Sequence, residues 1–302
     1  MDFGHIENIE SLDLSLPGDS PFTKKLFSKL KTKKAKAPQV YVGCAKWGRP
    51  DWIGKLYPKG TKAKDFLKNY TQHYNCIELN AMFYGLQPDS VIKGWASLAD
   101  KDFRFCPKFT QQISHFRQLK NAERETDLFL QGMKAFNGKL GHSFLQLSEN
   151  FSPTRKDTLI KYLGQLPRDF KVCLEVRHKD WFTKDGLDVE LCETLNKLNI
   201  GTVITDTAGR RDCVHQTLTN QVAFIRFVAN NLHPTDFERM DEWAKKIKEW
   251  IKNGITTIYF FIHSHEEINS PELSLYAVKK INEVCKLKLK EPVILSNTGK
   301  LF

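Results

Sequence analysis

No C-x-x-C pair occurs in this chain, and its seven cysteines (Cys44, Cys76, Cys106, Cys173, Cys192, Cys213 and Cys285) are odd in number and mostly embedded in apolar runs. That pattern argues against a disulfide framework and reads as reduced, buried thiols in a cytosolic protein. No window approaches the roughly 20 apolar residues of a membrane helix, and Met1 is followed by Asp2, Glu7 and Glu10 instead of a basic patch and an apolar stretch. A cytoplasmic protein without a membrane partner is therefore expected. The phosphate-loop pattern G-x-x-x-x-G-K-[ST], the zinc pattern H-E-x-x-H and the nucleophile elbow G-x-S-x-G are also missing.

What is present is a long, moderately apolar and basic chain. Its 302 residues are 41% hydrophobic, which is enough for one large α/β domain or two average ones, and the net charge is +11. Residues 1–38 mix Gly, Ser, Pro and Lys and carry a balance of only +2, leaving +9 on the remainder. The basic character thus belongs to the folded body as well, and an anionic partner, either a phosphorylated metabolite or nucleic acid, fits it. Residues 1–38 read as an extension with one helical stretch, PFTKKLFSKLK, and residues 39–302 as a single domain.

From residue 39 a rhythm begins. Eight β-rich runs occur: QVYVGCA (39–45), CIELN (76–80), DFRFCPK (102–108), HSFLQL (142–147), KVCLEVR (171–177), GTVITD (201–206), VAFIRFVA (222–229) and TTIYFFIH (256–263). Most lie about 30 residues apart, the size of a βαβ unit. Between them Ser152-Pro153 and Ser270-Pro271 open amphipathic helices, while Asn137-Gly138 and Asn253-Gly254 close two others. The second of these carries Phe237, Met240, Trp243, Ile247 and Trp250 on one stripe. Residues 207–220 show no such stripe and are expected to be irregular. Eight strands alternating with about seven helices predict an α/β fold, a (β/α)₈ TIM barrel with an N-terminal extension. A doubly wound sheet is the alternative, but the turn after its first strand, GCAKWGRP, has only two glycines, at the wrong spacing for a dinucleotide site.

Polar residues recur at the strand ends, where barrel active sites form. They are Glu78 and Asn80 on strand two, Lys108 on three, Gln146 on four, Glu175 and Arg177 on five, Asp206 on six, Arg226 on seven and His263 on eight. Aromatic residues follow several of these ends: Trp47 and Tyr57, Phe83 and Tyr84, and Trp181. They can wall a pocket, or seal the top of the core.

The segments GCAKWGRPDWIGKLYPKG, IELNAMFYG, FRFCPKFTQQISH, FLQLSENF, LEVRHKDW and ITD, in that order, resemble the YecE-like proteins, domain-of-unknown-function family 72, over residues 40–285. The resemblance implies a TIM barrel and no established activity. Its recurrent polar positions correspond to Glu78, Asn80, Lys108, His115, Gln146, Glu175, Arg177 and Asp206, with Trp47, Tyr57, Tyr84 and Trp181 beside them. This chain departs from the family pattern in Gly43-Cys44-Ala45-Lys46-Trp47, in Phe227-Val228-Ala229 after Arg226, and in His263-Ser264-His265.

The expected chemistry places Glu78, Glu175, Arg177, Asp206 and His115 in catalytic roles. Trp47, Tyr57, Asn80, Tyr84, Lys108, Gln146, Trp181 and Arg226 would bind a small anionic or sugar-like substrate. The contrasting reading is a buried ion-pair network in which Glu175 satisfies Arg177 and Glu78 satisfies Lys108. Three further readings stay open: a divalent metal held by His263 and His265 with nearby carboxylates, a glycosidase with paired carboxylates, and a basic nucleic-acid binder.

Overall fold

The computed structural model describes residues 3–30 and 37–295. Strands form at all eight β-rich runs: β1 Gln39–Cys44, β2 Cys76–Leu79, β3 Arg104–Pro107, β4 Ser143–Gln146, β5 Val172–Glu175, β6 Gly201–Asp206, β7 Val222–Ala229 and β8 Thr257–Ser264. Six of them pair in parallel in the order β1-β8-β7-β6-β5-β4, and β2 and β3 form a second parallel pair. Single bridges, Phe105 with Leu140 and Lys108 with Phe144, link β3 to the β4 segment. The fold is mixed α/β with a mostly parallel sheet. A two-residue hairpin, Phe182–Thr183 with Gly186–Leu187, decorates the loop after β5.

No backbone ladder joins β1 to β2 among the described residues; side chains do so instead. The Asn75 amide donates to the Val40 carbonyl and accepts from the Val42 N–H, each at 2.9 Å. The Tyr70 hydroxyl accepts from the Cys44 N–H at 2.7 Å and donates to the Cys76 carbonyl at 2.9 Å. The seam is tight enough that a Cβ on Gly43 would lie 2.2 Å from that carbonyl oxygen, so only glycine fits there. Replacing Asn75 by Ala leaves a donor and an acceptor of β1 unpaired. The expected loss is about 1–3 kcal/mol, measured by urea unfolding.

Strand parity divides the core into two environments. Tyr41, Cys76, Cys106, Phe144, Cys173, Val203, Phe224 and Phe261, from all eight strands, pack in one buried cluster. The intervening residues, such as Val42, Ile204, Ile225, Phe260 and Ile262, pack with helix side chains including Met240, Trp243, Ile247 and Trp250. The helix Pro234–Lys252 supplies that stripe, starts on its proline behind His233, and stops before Gly254 at φ +95°. The helix Glu123–Met133 ends earlier than Asn137-Gly138 suggests, because a 3₁₀ stretch, Lys134–Lys139, follows it. Between β6 and β7 there is only a 3₁₀ turn, Arg211–Cys213, in keeping with the missing stripe.

The helix Pro21–Leu30 buries Leu26, Phe27 and Leu30 against the Trp243 and Trp250 cluster. Residues before it run along the loop after β6. Gly209 donates to the Gly4 carbonyl at 2.9 Å, and Arg211 donates to the Leu14 carbonyl at 2.9 Å. Gly4 has φ +69°, and a Cβ there would sit 2.4 Å from Thr207, so this segment is shaped to its seat. Lys31, Lys33, Lys34 and Lys36 of the expected basic arm lie outside the described residues. Six of the seven cysteines are buried, Cys285 is half-buried, and all are free. Among the described residues no helix is long and apolar enough to cross a membrane.

Candidate active site at the strand ends

The parity that points Cys76, Cys106, Phe144, Cys173, Val203, Phe224 and Phe261 into one cluster sends the residue two positions on in each strand to the same side. Those residues are Glu78, Lys108, Gln146, Glu175, Thr205, Arg226 and His263. They form a polar layer on top of an apolar one. At its centre is Arg226, fully buried, which donates a two-pronged fork to Glu78 (Nε to Oε2 2.8 Å, Nη2 to Oε1 2.9 Å) and reaches Glu175 through Nη1 at 3.1 and 3.2 Å. Asn80 donates to Glu78 at 2.8 Å, and His263 Nε2 lies 3.0 Å from its other oxygen. Arg177 Nε at 2.8 Å and the Thr205 hydroxyl at 3.1 Å complete the shell of Glu175.

Burial alone would raise both carboxyl pKa values, but the groups paired with them outweigh it. Arg226 and His263 hold Glu78 well below the usual carboxylate range, and Arg177 with Arg226 lowers Glu175. The same pairing raises Arg226, against its own burial. Two carboxylates and two guanidiniums therefore cancel. Glu175 pairs with Arg177 as expected for an ion-pair network, but the partner of Glu78 is Arg226 and not Lys108.

Lys108 is left over. Its side chain is 8% exposed and makes no ion pair or hydrogen bond among the described residues; its ammonium sits 3.9 Å from the centre of the Phe83 ring. Burial, then the charges of Arg226 and Arg177, push its pKa down to about 7. Gln146, beside Glu175 in the ladder, is 5% exposed and its Oε1 is buried without a hydrogen-bond partner among the described residues. The Nη groups of Arg177 likewise have no hydrogen-bond partner among the described residues, and its guanidinium lies 3.8 Å from the ring centre of Phe3. His115, half-buried, packs edge-on against Phe83 and hydrogen-bonds Ser114 through Nδ1. Burial, then Lys108 and Arg177, lower it to about 4. That disfavours its protonated form near neutral pH, where the catalytic role expected of it would have used a titrating imidazole.

Several expected site residues lie elsewhere. Asp206 has the parity of Ile204, so it faces the helices. It accepts from Trp243 Nε1 at 2.7 Å and Arg239 at 2.9 Å, and also pairs with Arg211, which makes it an anchor for the helix Pro234–Lys252. Thr205 takes its place in the polar layer. Tyr57 and Trp181 are fully buried in the outer core, their polar atoms bonded to the carbonyls of Trp47 and Phe151. Trp47 packs edge-on against Trp95, and Tyr84 is 76% exposed. His263 and His265 do not converge. His265 packs against His5 with tilted rings, centroids 4.2 Å apart, and lines a separate cavity of about 500 Å³ with Asn230, Asn231 and His233. Among the described residues no group of three or more His, Cys, Asp or Glu side chains is placed to hold a metal.

Phe3 is a residue that no sequence signal selects: standing apart from the helical stretch of the polar extension, it belongs to no periodic pattern. The ring lies on Arg177 because Gly4 and Thr207 hold the segment there. A Phe3→Ala variant is expected to speed modification of Lys108 by a small amine reagent, read by peptide mass spectrometry; an unchanged rate would show that Phe3 does not restrict access.

Residues 41–293 match the family described as "Protein of unknown function DUF72". The UPF0759 protein YecE of Escherichia coli (strain K12) is 30% identical over 252 residues, which span 78% of this chain and 89% of that protein. The UPF0759 protein YunF of Bacillus subtilis (strain 168) is 24% identical over 151 residues, 48% of this chain and 52% of that one. A crystal structure of a DUF72 family protein from Thermotoga maritima superposes with a TM-score of 0.61 at 22% identity, covering 81% of this chain and 99% of that one. One from Enterococcus faecalis V583 gives 0.62 at 15% identity, with 83% and 99% covered.

Proposed function

This chain belongs to the DUF72 family, and from that premise we propose that its eight strands close into a TIM-type barrel whose polar end is the active site of an enzyme acting on a small anionic or sugar-like molecule. Support for closure comes from the inner cluster, to which all eight strands contribute, and from the fork of Arg226 on β7 to Glu78 on β2, across two sheets. Polar layers at the C-terminal ends of barrel strands are where such folds place chemistry.

One observation carries the enzymatic reading. In a buried layer whose carboxylates and guanidiniums cancel, Lys108, itself 8% exposed, makes no ion pair or hydrogen bond among the described residues, and among them the buried Gln146 carbonyl oxygen also lacks a partner. Burying a polar group without a partner is costly, and such groups persist where a ligand completes them. Glu78 and Glu175 act as positioning groups for Arg226 and Arg177, which leaves proton transfer to Lys108 and substrate contact to Arg177, Gln146, Asn80 and His115. A nucleic-acid partner would need cations spread over a face, whereas these converge on one end of the strands.

The test is a thermal-shift screen of wild type and Lys108→Met against phosphorylated metabolites, sugar acids and free sugars. A ligand at a hundred times its Kd adds about 2.7 kcal/mol of stability, enough to move the wild-type midpoint by several degrees. The reading predicts at least one compound that stabilises the wild type and not the variant. Equal shifts in both for every compound would refute it.

A further inference from the structure

Resting on the active-site reading above, we propose that Lys108 is a nucleophile that forms a Schiff base with a small aldehyde or ketone bearing a carboxylate or phosphate. The geometry singles it out. An amine attacks a carbonyl only as its free base, and an ordinary lysine holds almost none of that form at neutral pH. Lys108 stands at the end of β3 with its backbone fixed on both sides: its N–H donates to the Leu79 carbonyl at 3.1 Å, and the residue bridges to Phe144. Its side chain is buried against the Phe83 ring. The carboxylates that could hold it as a cation, Glu78 and Glu175, are committed to Arg226, Arg177, Asn80 and Thr205. Burial and the Arg226 and Arg177 guanidiniums outweigh Glu175 and Glu78 and oppose its protonation, which is how a lysine is prepared for covalent work.

The rest of the layer specifies the electrophile. Arg177 presents Nη groups without acceptors among the described residues, suited to a carboxylate or phosphate, and its guanidinium is covered by the Phe3 ring. The unpartnered Gln146 oxygen asks for a donor, such as a hydroxyl next to the carbonyl. In the reaction the Lys108 nitrogen lone pair attacks the carbonyl carbon and the carbon–oxygen π electrons move to oxygen. The carbinolamine then loses that oxygen with the two former amine hydrogens as water, leaving a carbon–nitrogen double bond. No oxidant or reductant takes part.

Trapping with sodium borohydride tests this on the full chain. Wild-type protein is incubated with glyoxylate, pyruvate or dihydroxyacetone phosphate between pH 6 and pH 10.5, reduced, digested and mapped by mass spectrometry. At pH 7.4 a group titrating near 7 holds on the order of several hundred times more free amine than a surface lysine. At least a hundredfold preference for Lys108 over the exposed lysines is expected with at least one probe, with half-maximal labelling near pH 7, and Lys108→Met should lose the dominant adduct. Adducts scattered over surface lysines with Lys108 no more labelled than the rest, or a Lys108 profile rising only near pH 10, would overturn the proposal. The thermal-shift screen separates the two ideas: a ligand that still stabilises wild type alone keeps the active site and removes only the Schiff base.

Discussion

Lys108→Met should be more stable than the wild type, and most so at acid and neutral pH. The wild-type amine has a folded pKa of about 7 against about 10.4 in the unfolded chain. Between those values the unfolded state binds more protons, so wild-type stability rises with pH across that window. Below pH 7 both states are protonated and the full penalty of holding a buried cation next to Arg226 and Arg177 is present. Methionine has a similar shape and no charge, packs on Phe83, and removes that penalty. The expected gain in urea unfolding is about 2–4 kcal/mol at pH 6, falling away as pH rises from 7 through 10.5. A neutral or destabilising effect at pH 6 would mean that Lys108 contributes to the fold. The predicted gain is the mark of a residue kept for activity at the expense of stability.

Arg226→Met should have the opposite and larger effect. It strips the fork from Glu78 and two contacts from Glu175, leaving two carboxylates buried with only Asn80, His263, Arg177 and Thr205 to share. Breaking a buried pair costs about 3–5 kcal/mol, and here one cation serves two anions, so at least that much should be lost at pH 7. The pH dependence reverses as well. In the wild type both carboxyl pKa values are lowered, so their contribution is present above the unfolded value and is lost as pH falls below about 4. Without Arg226, burial raises them, and the variant should recover part of its stability on acidification as Glu78 and Glu175 take up protons. Chemical unfolding of both proteins at pH 5 and pH 7.5 measures the difference. A loss under 1 kcal/mol at pH 7.5 would contradict the central place given to Arg226.

Much of this architecture was legible in the residues because period and composition act locally. The eight β-rich runs are eight strands, and the Ser-Pro pairs, Asn253-Gly254 and the Trp-bearing stripe mark helix ends and faces, since a strand or helix face is specified by its own alternation. The polar layer was legible for the same reason. Parity, not chemical prominence, decides which strand-end residue joins the layer. Asp206 is the last and most polar residue of β6, but counting by two from Val203 arrives at Thr205. Pairing across the layer was not legible. Whether Glu78 meets Lys108 or Arg226 depends on which strands face one another through the interior, and spacing along the chain does not encode that. Tyr57 and Trp181 look like pocket walls by position and are core by contact. Phe3 lies 174 residues from the arginine it covers, a contact that no local pattern announces.

Burial and the neighbouring guanidiniums push the Lys108 amine down to about 7, and NMR titration of its side chain reads that directly. With ¹³C-labelled lysine and Lys108→Met to assign its signal, the Cε resonance is predicted to titrate with a midpoint of about 7. A Lys108 midpoint near 10.5 would show a cation satisfied by its surroundings, and the active-site reading would lose the observation on which it stands.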